Sequence, residues 1–254
     1  MLMPAERREL LVERLRSQGK LVSRDMAMEL GVSDDIIRRD LRDMAAAGLC
    51  QRVYGGALPA SPAVVTYEER RQVRPDAKHH VARIAVELLP SRATLLLDGG
   101  TTALEVARAL PLAFDGTIIT HSVTVAAALL DHTDTEVIIL GGRLFKHSAV
   151  ACGPTTAAAL EGISADFCFL GVTGVHPQAG LTTDDYEEAA IKRLFAQHSA
   201  ETYILASSEK IGAASRFTVM PLRDVSGIIT NPSTDPADAG LLRDLQEQGI
   251  SILS

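Results

Sequence analysis

The segment from Asp98 to Thr102 has the residue types of an anion-binding loop. It reads Asp-Gly-Gly-Thr-Thr, follows the apolar run Leu95–Leu97 and comes directly before a helical pattern. Two glycines let the backbone approach a ligand closely, while two hydroxyls and the N–H groups of a helix start can donate hydrogen bonds to an anion. We therefore predict that a phosphate-sized group binds at Asp98, Gly99, Gly100, Thr101 and Thr102.

Small or hydroxylated residues also follow three other apolar runs, 117–119, 167–170 and 203–205. The residues that follow them include Thr120, His121, Ser122, Gly171, Gly174 and Lys210. Any one of these loops alone is best explained as an ordinary strand-to-helix turn, where Gly, Ser and Thr are common. Together they favour a polar site for a phosphate. The chain has no Walker A sequence or dinucleotide fingerprint, and its three cysteines lack metal-ligand spacing, so we expect no cofactor and no metal.

Some residues of these segments could instead transfer protons in an enzyme: Asp98, His121, Glu188, Lys192 and Lys210. General acid–base catalysis needs such groups within hydrogen-bond reach of one reacting carbon. The loops consist mostly of small residues that bind but do not react, so we favour ligand binding and assign no catalytic residue. Two alternatives stay open: a sugar-phosphate isomerase-like enzyme with a DNA-binding head, and a protein-interaction module whose ligand site has decayed.

A second group of chemistry-bearing residues is a set of arginines near the N-terminus. Ser33 is expected to cap a helix from Asp34 to about Ala47, where Asp34 and Asp35 suit the positive end of the helix dipole. The apolar side chains of this helix recur at helical spacing and should pack inward, at Ile37, Leu41 and Met44. Three arginines then lie on or beside the exposed side, where they can contact phosphates or a guanine edge: Arg38, Arg39 and Arg42.

The elements before and after this helix match a winged helix-turn-helix. Residues 7–17 should form a first helix, and Ser23 should cap a short second helix, Arg24–Leu30, that packs inward through Ala27 and Leu30. Gly31 suits the tight turn that follows. Residues 49–56, with Arg52 and Tyr54, could form a small β wing. The same pattern also fits a three-helix module that binds protein, but a helix-turn-helix would place its second helix in the DNA major groove.

Beyond residue 77 of this 254-residue chain, helical and strand patterns alternate. Helical stretches are expected at 77–89, 102–110, 122–131, 155–161, 185–199 and 238–248. Apolar strands are expected at 94–97, 117–120, 137–140, 167–170, 203–206, 227–230 and 250–253. Apolar strands between helices predict an α/β domain with a mainly parallel sheet that helices cover on both faces, and ligands bind such sheets at the carboxyl ends of the strands.

The formal net charge of −7 by itself argues against a nucleic-acid partner. The charge is unevenly distributed, however: residues 1–78 hold 14 Lys and Arg against 12 Asp and Glu, and residues 79–254 hold 11 against 20. The acidity therefore belongs to the second part and says little about a DNA-binding face in the first. No run of about 18 apolar residues occurs, so we expect no membrane contact and a cytoplasmic protein with reduced thiols.

Residues 32–41, followed by Gly48-Leu49 and residues 52–57, resemble the signature of the DeoR family of bacterial transcription regulators. The family has Val-Ser, two residues and Thr-Ile-Arg-Arg-Asp-Leu, then an Arg-x-His-Gly-Gly-Ala wing. Ile36 stands here where the family usually has Thr, and Tyr54 where it usually has His. The resemblance and the helical pattern together imply DNA contacts at Ser23, Ser33, Asp34, Asp35, Ile36, Arg38, Arg39, Arg42, Arg52 and Tyr54.

The second part of the chain resembles the effector domain of the same family, which belongs with sugar-phosphate isomerase and CoA-transferase-like folds. The matching segments are 67–70 with Lys78 in a linker helix, 98–102, 120–122, 166–174, 180–182 with Glu188 and Lys192, and 207–210. Two departures are His121 for the usual Asn and Ser207 for the usual Asp. The resemblance implies that a phosphorylated sugar or related metabolite binds these segments and alters operator binding.

These observations combine into one prediction of domains and partners. Residues 1–58 should form the winged helix-turn-helix domain, residues 59–76 a linker, and residues 77–254 an effector-binding and oligomerisation domain. We expect a regulator, most often a repressor in such systems, of carbohydrate or related catabolic genes. Its expected partners are double-stranded operator DNA, a phosphorylated effector and further copies of the chain in a dimer or tetramer, because one monomer would contact too few bases for specificity.

Overall fold

The computed structural model describes residues 2–61, 66–233 and 236–254. Within these ranges no helix is both long and apolar enough to cross a membrane. The first six elements are three helices and three short strands: α1 (Pro4–Gln18), β1 (Leu21–Val22), α2 (Ser23–Leu30), α3 (Asp34–Ala46), β2 (Cys50–Val53) and β3 (Gly56–Pro59). The strands form an antiparallel sheet in the order β1-β3-β2. The predicted winged helix-turn-helix is therefore confirmed.

The core of this head forms where the apolar positions of the three helices meet. Ile37, Leu41 and Met44 of α3 are buried as predicted, together with Leu11 and Leu15 of α1. They fall on one side of their helices because residues three and four apart share a helix face. The exposed side of α3 is thereby left to its arginines.

The cap of α3 is confirmed and the cap of α2 is not. The Ser33 hydroxyl accepts a hydrogen bond from the Ile36 N–H at the start of α3. Ser23, which we expected in the same role, lies inside α2, is buried and makes no capping bond. The prediction was wrong because strand β1 runs up to Val22, which takes the capping position, and the Ser23 N–H donates to the Gly55 carbonyl of the wing.

The wing is a hairpin between β2 and β3, and β3 also pairs with β1. Gly56 is required where β3 meets β1, because a β-carbon at this residue would lie 1.8 Å from the Leu21 carbonyl oxygen. Tyr54 and Gly55 form the turn, and the Tyr54 side chain is fully exposed at the wing tip. The predicted wing therefore exists, and its second strand continues to Pro59.

The remaining strands are β4 (Thr94–Leu97), β5 (Thr117–Thr120), β6 (Glu136–Ile139), β7 (Arg143–Phe145), β8 (Val150–Cys152), β9 (Ala165–Gly171), β10 (Gly174–His176), β11 (Gly180–Thr183), β12 (Ser199–Leu205), β13 (Phe217–Met220), β14 (Gly227–Ile229) and β15 (Ile252–Leu253). The remaining helices are α4 (Tyr67–Gln72), α5 (Pro75–Glu87), α6 (Thr101–Ala109), α7 (Val123–Ala128), α8 (Pro154–Ala159), α9 (Tyr186–Gln197) and α10 (Pro236–Glu247). Each of the seven strands and six helices predicted beyond residue 77 overlaps one of these elements.

Seven strands form the central sheet in the order β15-β14-β12-β9-β4-β5-β6, and all the pairings described within it are parallel. The predicted parallel α/β domain is confirmed. From β4 the chain moves outward through β5 and β6, and from β9 it moves outward in the other direction. The boundary between β4 and β9 is thus the topological switch point, where parallel sheets form a crevice at their carboxyl ends.

Helices cover both faces of this sheet. Leu95 and Leu97 of β4 pack with α5, α6 and α7, while Leu96 between them packs in the cluster that contains α8 and α9. Successive strand residues point to opposite faces, so an uninterrupted apolar strand serves two cores at once. Two smaller sheets were not predicted: a β7-β8 hairpin and an antiparallel sheet in the order β10-β11-β13.

The described residues between the head and the central sheet have a defined structure. Ala60 forms a bridge with Ala214, and the Ser61 hydroxyl donates to the Thr173 carbonyl oxygen. Helix α4 follows, begun by a capping box in which Thr66 and Glu69 satisfy each other's N–H groups. The predicted linker helix is present as α4 for residues 67–70, whereas Lys78, which we had placed in the same helix, lies in α5.

Candidate functional site

A pocket opens at the carboxyl end of the sheet, at the switch point between β4 and β9. It encloses about 630 Å³ of space free of protein atoms, including its open mouth. Its lining residues come from α4, α5, α6, α9, strand β11, the β7-β8 turn and the ends of β4, β9 and β12: Arg70, Val73, Lys78, Gly99, Gly100, Thr101, Thr102, Ser148, Gly171, Val172, Thr173, Thr183, Glu188, Lys192, Glu209 and Lys210.

The N-terminus of α6 forms one wall of the pocket. Gly100 precedes the helix with a φ of 92°, a conformation that L side chains rarely adopt. The first N–H groups of a helix have no partner within it and carry partial positive charge. Thr102 is only 3% exposed, and its hydroxyl has no hydrogen-bond partner among the described residues. This wall therefore offers an anion both backbone N–H groups and a buried hydroxyl.

Four cationic side chains line the same pocket, against two carboxylates: Arg70, Lys78, Lys192 and Lys210 against Glu188 and Glu209. The Lys210 ammonium makes no ion pair or hydrogen bond with any residue that the structure describes, although the Lys210 N–H donates to the Ser207 carbonyl oxygen. Burial lowers the pKa of Lys210 to about 8, and the neighbouring cations add to this effect while Glu209 opposes it. The pocket thus has an excess of positive charge that is only partly neutralised by the protein.

Asp98 lies behind the pocket and organises its floor. It is completely buried, and its Oδ2 accepts hydrogen bonds from the Gly171 N–H at 2.8 Å and from Lys192 Nζ at 2.5 Å. Burial alone would raise the pKa of this carboxyl, but Lys192 and His121 hold it well below its usual range. The Asp98 carboxylate therefore ties the end of β4 to the end of β9 and to helix α9.

Helix α9 adds a second carboxylate to this cluster. Glu188 and Lys192 are one helical turn apart, with Oε1 3.4 Å from Nζ. Thr183 donates to Glu188 Oε2 at 2.7 Å, and Ser148 also hydrogen-bonds to this carboxylate. Despite burial, the positive charge of Lys192 lowers the pKa of Glu188, and the two carboxylates raise the pKa of Lys192. The predicted Glu188–Lys192 pair thus joins Asp98 in one buried, mutually neutralising cluster.

The structure brings only some of the predicted effector residues to the pocket surface: Gly99, Gly100, Thr101, Thr102, Gly171, Glu188, Lys192 and Lys210. The others lie behind it. Asp98 and His121 bind each other, the Thr120 hydroxyl accepts from the Ser122 N–H, and the Ser122 hydroxyl caps α7. At Gly174, a β-carbon would collide with the Ala213 carbonyl oxygen at 2.3 Å, so its role there is close packing.

The remaining lining residues were not singled out from the sequence: Val73, Ser148 and Thr183, and also Val172, Thr173 and Glu209, which lie in the matched segments 166–174 and 207–210. Arg70 and Lys78 had been assigned only to the linker pattern, and no local signal shows that α4 reaches the sheet. Arg70 donates to the His147 carbonyl oxygen, and Lys78 donates to the carbonyl oxygen of Arg70. A carboxylate next to Lys210 was visible in the sequence and could have suggested Glu209.

In the head, the candidate DNA surface is the exposed side of α3 and the wing. Arg38, Arg39 and Arg42 are all exposed, and so are Arg52 and Tyr54 of the wing. Arg38 forms an ion pair with Asp34 one turn earlier, at 2.6 Å. Asp35 is also exposed, Ile36 is half-buried and Ser33 is occupied as a cap. The buried Ser23 hydroxyl does not reach this surface.

Comparison with known proteins places both parts of the chain. Residues 7–62 match the DeoR-like helix-turn-helix domain, and residues 73–232 match the DeoR C-terminal sensor domain. The chain is 32% identical to the HTH-type transcriptional regulator GlpR of Haloferax volcanii, over 99% of this chain and 98% of that protein. It is 28% identical to the glycerol-3-phosphate regulon repressor of Escherichia coli (strain K12), over 87% and 88%.

A solved structure of ribose 5-phosphate isomerase A from Methanocaldococcus jannaschii is also similar, with 17% identity, 54% of each chain covered and a TM-score of 0.41. The two domain matches span most of the chain, and the Haloferax relative matches nearly all of it. The chain therefore belongs to the DeoR family of helix-turn-helix transcriptional regulators, with a DNA-binding head and a C-terminal sensor domain.

Proposed function

We propose that this chain represses genes of carbohydrate or related catabolism, and that a phosphorylated sugar in the pocket alters its operator binding. One observation carries the ligand part: the buried, unpaired Thr102 hydroxyl lies at the N-terminus of α6, in a pocket with excess positive charge. Helix N-termini with free hydroxyl and N–H donors are suited to phosphate. The regulon named for the Escherichia coli relative, that of glycerol 3-phosphate, supports an effector of this kind.

The linker connects the ligand to the DNA-binding head in this proposal. Arg70 and Val73 line the pocket, and they lie in or directly after α4, between the head and the sheet. A ligand changes an equilibrium only by binding two states unequally. A phosphate that attracts Arg70 would favour one position of α4, and thereby one arrangement of two heads on an operator.

We propose binding rather than catalysis for this site. Of the groups that could move a proton, Asp98, Glu188 and Lys192 are paired with one another and His121 is bound to Asp98, while Lys210 is assigned to the phosphate. A general base must be free to reach a carbon-bound proton. Detectable turnover of a sugar phosphate that Glu188→Gln abolishes would contradict this.

The partners follow from the head. Double-stranded operator DNA would contact α3 and the wing in the cytoplasm, and a dimer or tetramer would place several heads on repeated half-sites. A mobility-shift assay on the DNA upstream of the chain's own gene tests this, with scrambled DNA as the control. Absence of any sequence preference at moderate salt would contradict the DNA-binding function.

The effector part has its own test in the same assay. Sugar phosphates are added one at a time to the operator complex, and at least one should change the fraction of DNA bound. The double variant Thr101→Ala with Lys210→Ala should then lose the response but bind the operator as before. A full response in this variant would show that the phosphate site lies elsewhere.

A further inference from the structure

Glu209 has one carboxylate oxygen that accepts no hydrogen bond within the described part of the chain. The residue lies in a 3-10 turn, Ser208–Lys210, that follows β12 at the pocket. Oε1 accepts a hydrogen bond from the Ser207 hydroxyl at 2.6 Å. Oε2 is buried and accepts none from the described residues; its nearest cation is Arg74, whose Nε lies 3.9 Å away. The side chain is only 13% exposed, so water reaches it poorly.

A buried acceptor without a hydrogen bond costs free energy unless a ligand supplies the donor. The phosphate of an effector cannot be that donor, because a dianion and a carboxylate repel each other. The hydroxyls and cations of Thr101, Thr102, Lys192 and Lys210 suit the phosphate end of a ligand. A hydroxyl-bearing part of the ligand can supply the donor that Glu209 lacks.

We propose that Glu209 is the specificity residue of the pocket and accepts a hydrogen bond from a hydroxyl of a polyol or sugar phosphate. This rests on the proposed function of the pocket. The family usually has Asp at the position of Ser207, and here the carboxylate stands two residues later. The Ser207 hydroxyl holds that carboxylate in place.

Arg74 keeps this carboxylate oriented from the other side. It donates from Nη1 to the Ser208 hydroxyl at 2.8 Å and holds a left-handed φ of 44° just before α5. Asn231 accepts from the Ser208 N–H at 2.8 Å and fixes the same turn. The side chains of Arg74 and Asn231 therefore hold the turn that carries Glu209 before the ligand arrives.

The test uses pairs of probes that differ in hydroxyl groups alone: propyl phosphate against glycerol 3-phosphate, and hexyl phosphate against glucitol 6-phosphate. Calorimetry on the full-length chain gives the affinity of each probe and of inorganic phosphate. We expect the wild type to prefer a hydroxylated member. Glu209→Ala should lower the affinity for that hydroxylated probe by about 10- to 100-fold, the range for a hydrogen bond to a charged group. The same change should leave inorganic phosphate unchanged or bound more tightly, because a negative charge is removed.

Two further variants sharpen the test. Glu209→Gln keeps an acceptor oxygen and should lose less affinity for the hydroxylated probe than Glu209→Ala does. Ser207→Ala should lose an intermediate amount of affinity, because the carboxylate is then no longer held by the Ser207 hydroxyl. Operator binding should persist in all of them and reports correct folding. If Glu209→Ala loses affinity equally for both members of a pair, or for neither, the proposed role of Glu209 is overturned. Failure of every phosphate compound to bind the wild type would instead overturn the proposed function, and this inference with it.

Discussion

His121 and Asp98 form a completely buried pair, with Nε2 2.9 Å from Oδ1. The other ring nitrogen, Nδ1, lies 2.7 Å from the carbonyl oxygen of Ala151. Both partners are hydrogen-bond acceptors, so the His121 ring bridges the Asp98 carboxylate and strand β8. His121, which departs from the family pattern, therefore lies behind the pocket and holds Asp98 and strand β8 there.

Replacing His121 should therefore act on stability before it acts on ligand binding. His121→Leu removes the ring from between two buried acceptors, and a buried acceptor left without a donor costs about 1–3 kcal/mol of unfolding free energy. His121→Asn, which restores the usual family residue, keeps an amide donor and should cost less. Urea unfolding followed by circular dichroism measures both. Equal stability of the leucine variant and the wild type would contradict the pairing.

The charge of Lys210 should make effector affinity depend on pH. Its pKa is lowered to about 8, so the side chain loses its proton as the pH rises through that value, and phosphate affinity should fall between about pH 7 and about pH 9. Binding of an anion raises the pKa again, so protons should be taken up near pH 8. Calorimetry in buffers with different ionisation enthalpies measures this uptake. Lys210→Arg stays charged and should remove the pH dependence.

The pKa of Lys210 also has a consequence for the free protein. Because the pKa is lower in the folded state than the usual 10.5, the unfolded chain binds more protons between about pH 8 and 10.5. The contribution of Lys210 to the free energy of unfolding should therefore rise with pH across this window. Comparison of the wild type with Lys210→Met, which cannot titrate, isolates that contribution. Below about pH 8 the charged Lys210 should make the wild type less stable than the variant. This difference in the free energy of unfolding should shrink as the pH rises toward about 10.5, because the buried side chain is then neutral.

Asp40, within the Arg-Arg-Asp-Leu segment of α3, serves the fold of the head rather than DNA. It is buried and accepts from Arg7 Nε at 2.5 Å, which joins α3 to α1 and raises the pKa of Arg7. Asp40→Ala leaves a buried guanidinium unpaired and should cost about 3–5 kcal/mol. The exposed pair Arg14–Glu29 is the control, and Glu29→Ala should cost less than about 1 kcal/mol. Thermal unfolding of both variants measures their losses of stability, and similar losses would contradict the structural role of Asp40.

What the sequence could predict depended on whether the signal was local. Glu188 and Lys192 are four residues apart on one helix, and Ser33 caps the helix that directly follows it, so their neighbours are nearby in the chain. Ser148 and Arg70 reach the pocket from a hairpin and from a linker helix, and only the tertiary fold brings them there. His121 was correctly placed at a strand end, but the sequence did not show which way its ring points.

The linker helix offers a test of how the two parts of the chain communicate. Arg70 lines the pocket, whereas Arg71 beside it is paired with Glu68 at 3.1 Å on the same helix. Arg70→Ala should therefore reduce the effector-induced change in operator affinity, and Arg71→Ala should leave it unchanged. Operator titrations with and without effector give two affinities, and their ratio measures the effector-induced change. If both variants respond as the wild type does, α4 does not transmit the signal.

Operator binding should depend on a few exposed arginines rather than on a general positive field, because the head carries almost as many acidic as basic residues. Arg39 is exposed on α3. Arg39→Ala should weaken operator binding by about 1–3 kcal/mol if the side chain reads a base. If it contacts a phosphate instead, non-specific DNA should weaken equally, and the slope of log affinity against log salt should become shallower by about one. Arg223→Ala, on the exposed surface of the sensor domain, is the matched control. Normal operator binding by the Arg39 and Arg38 alanine variants would mean that the exposed side of α3 is not the surface that enters the groove.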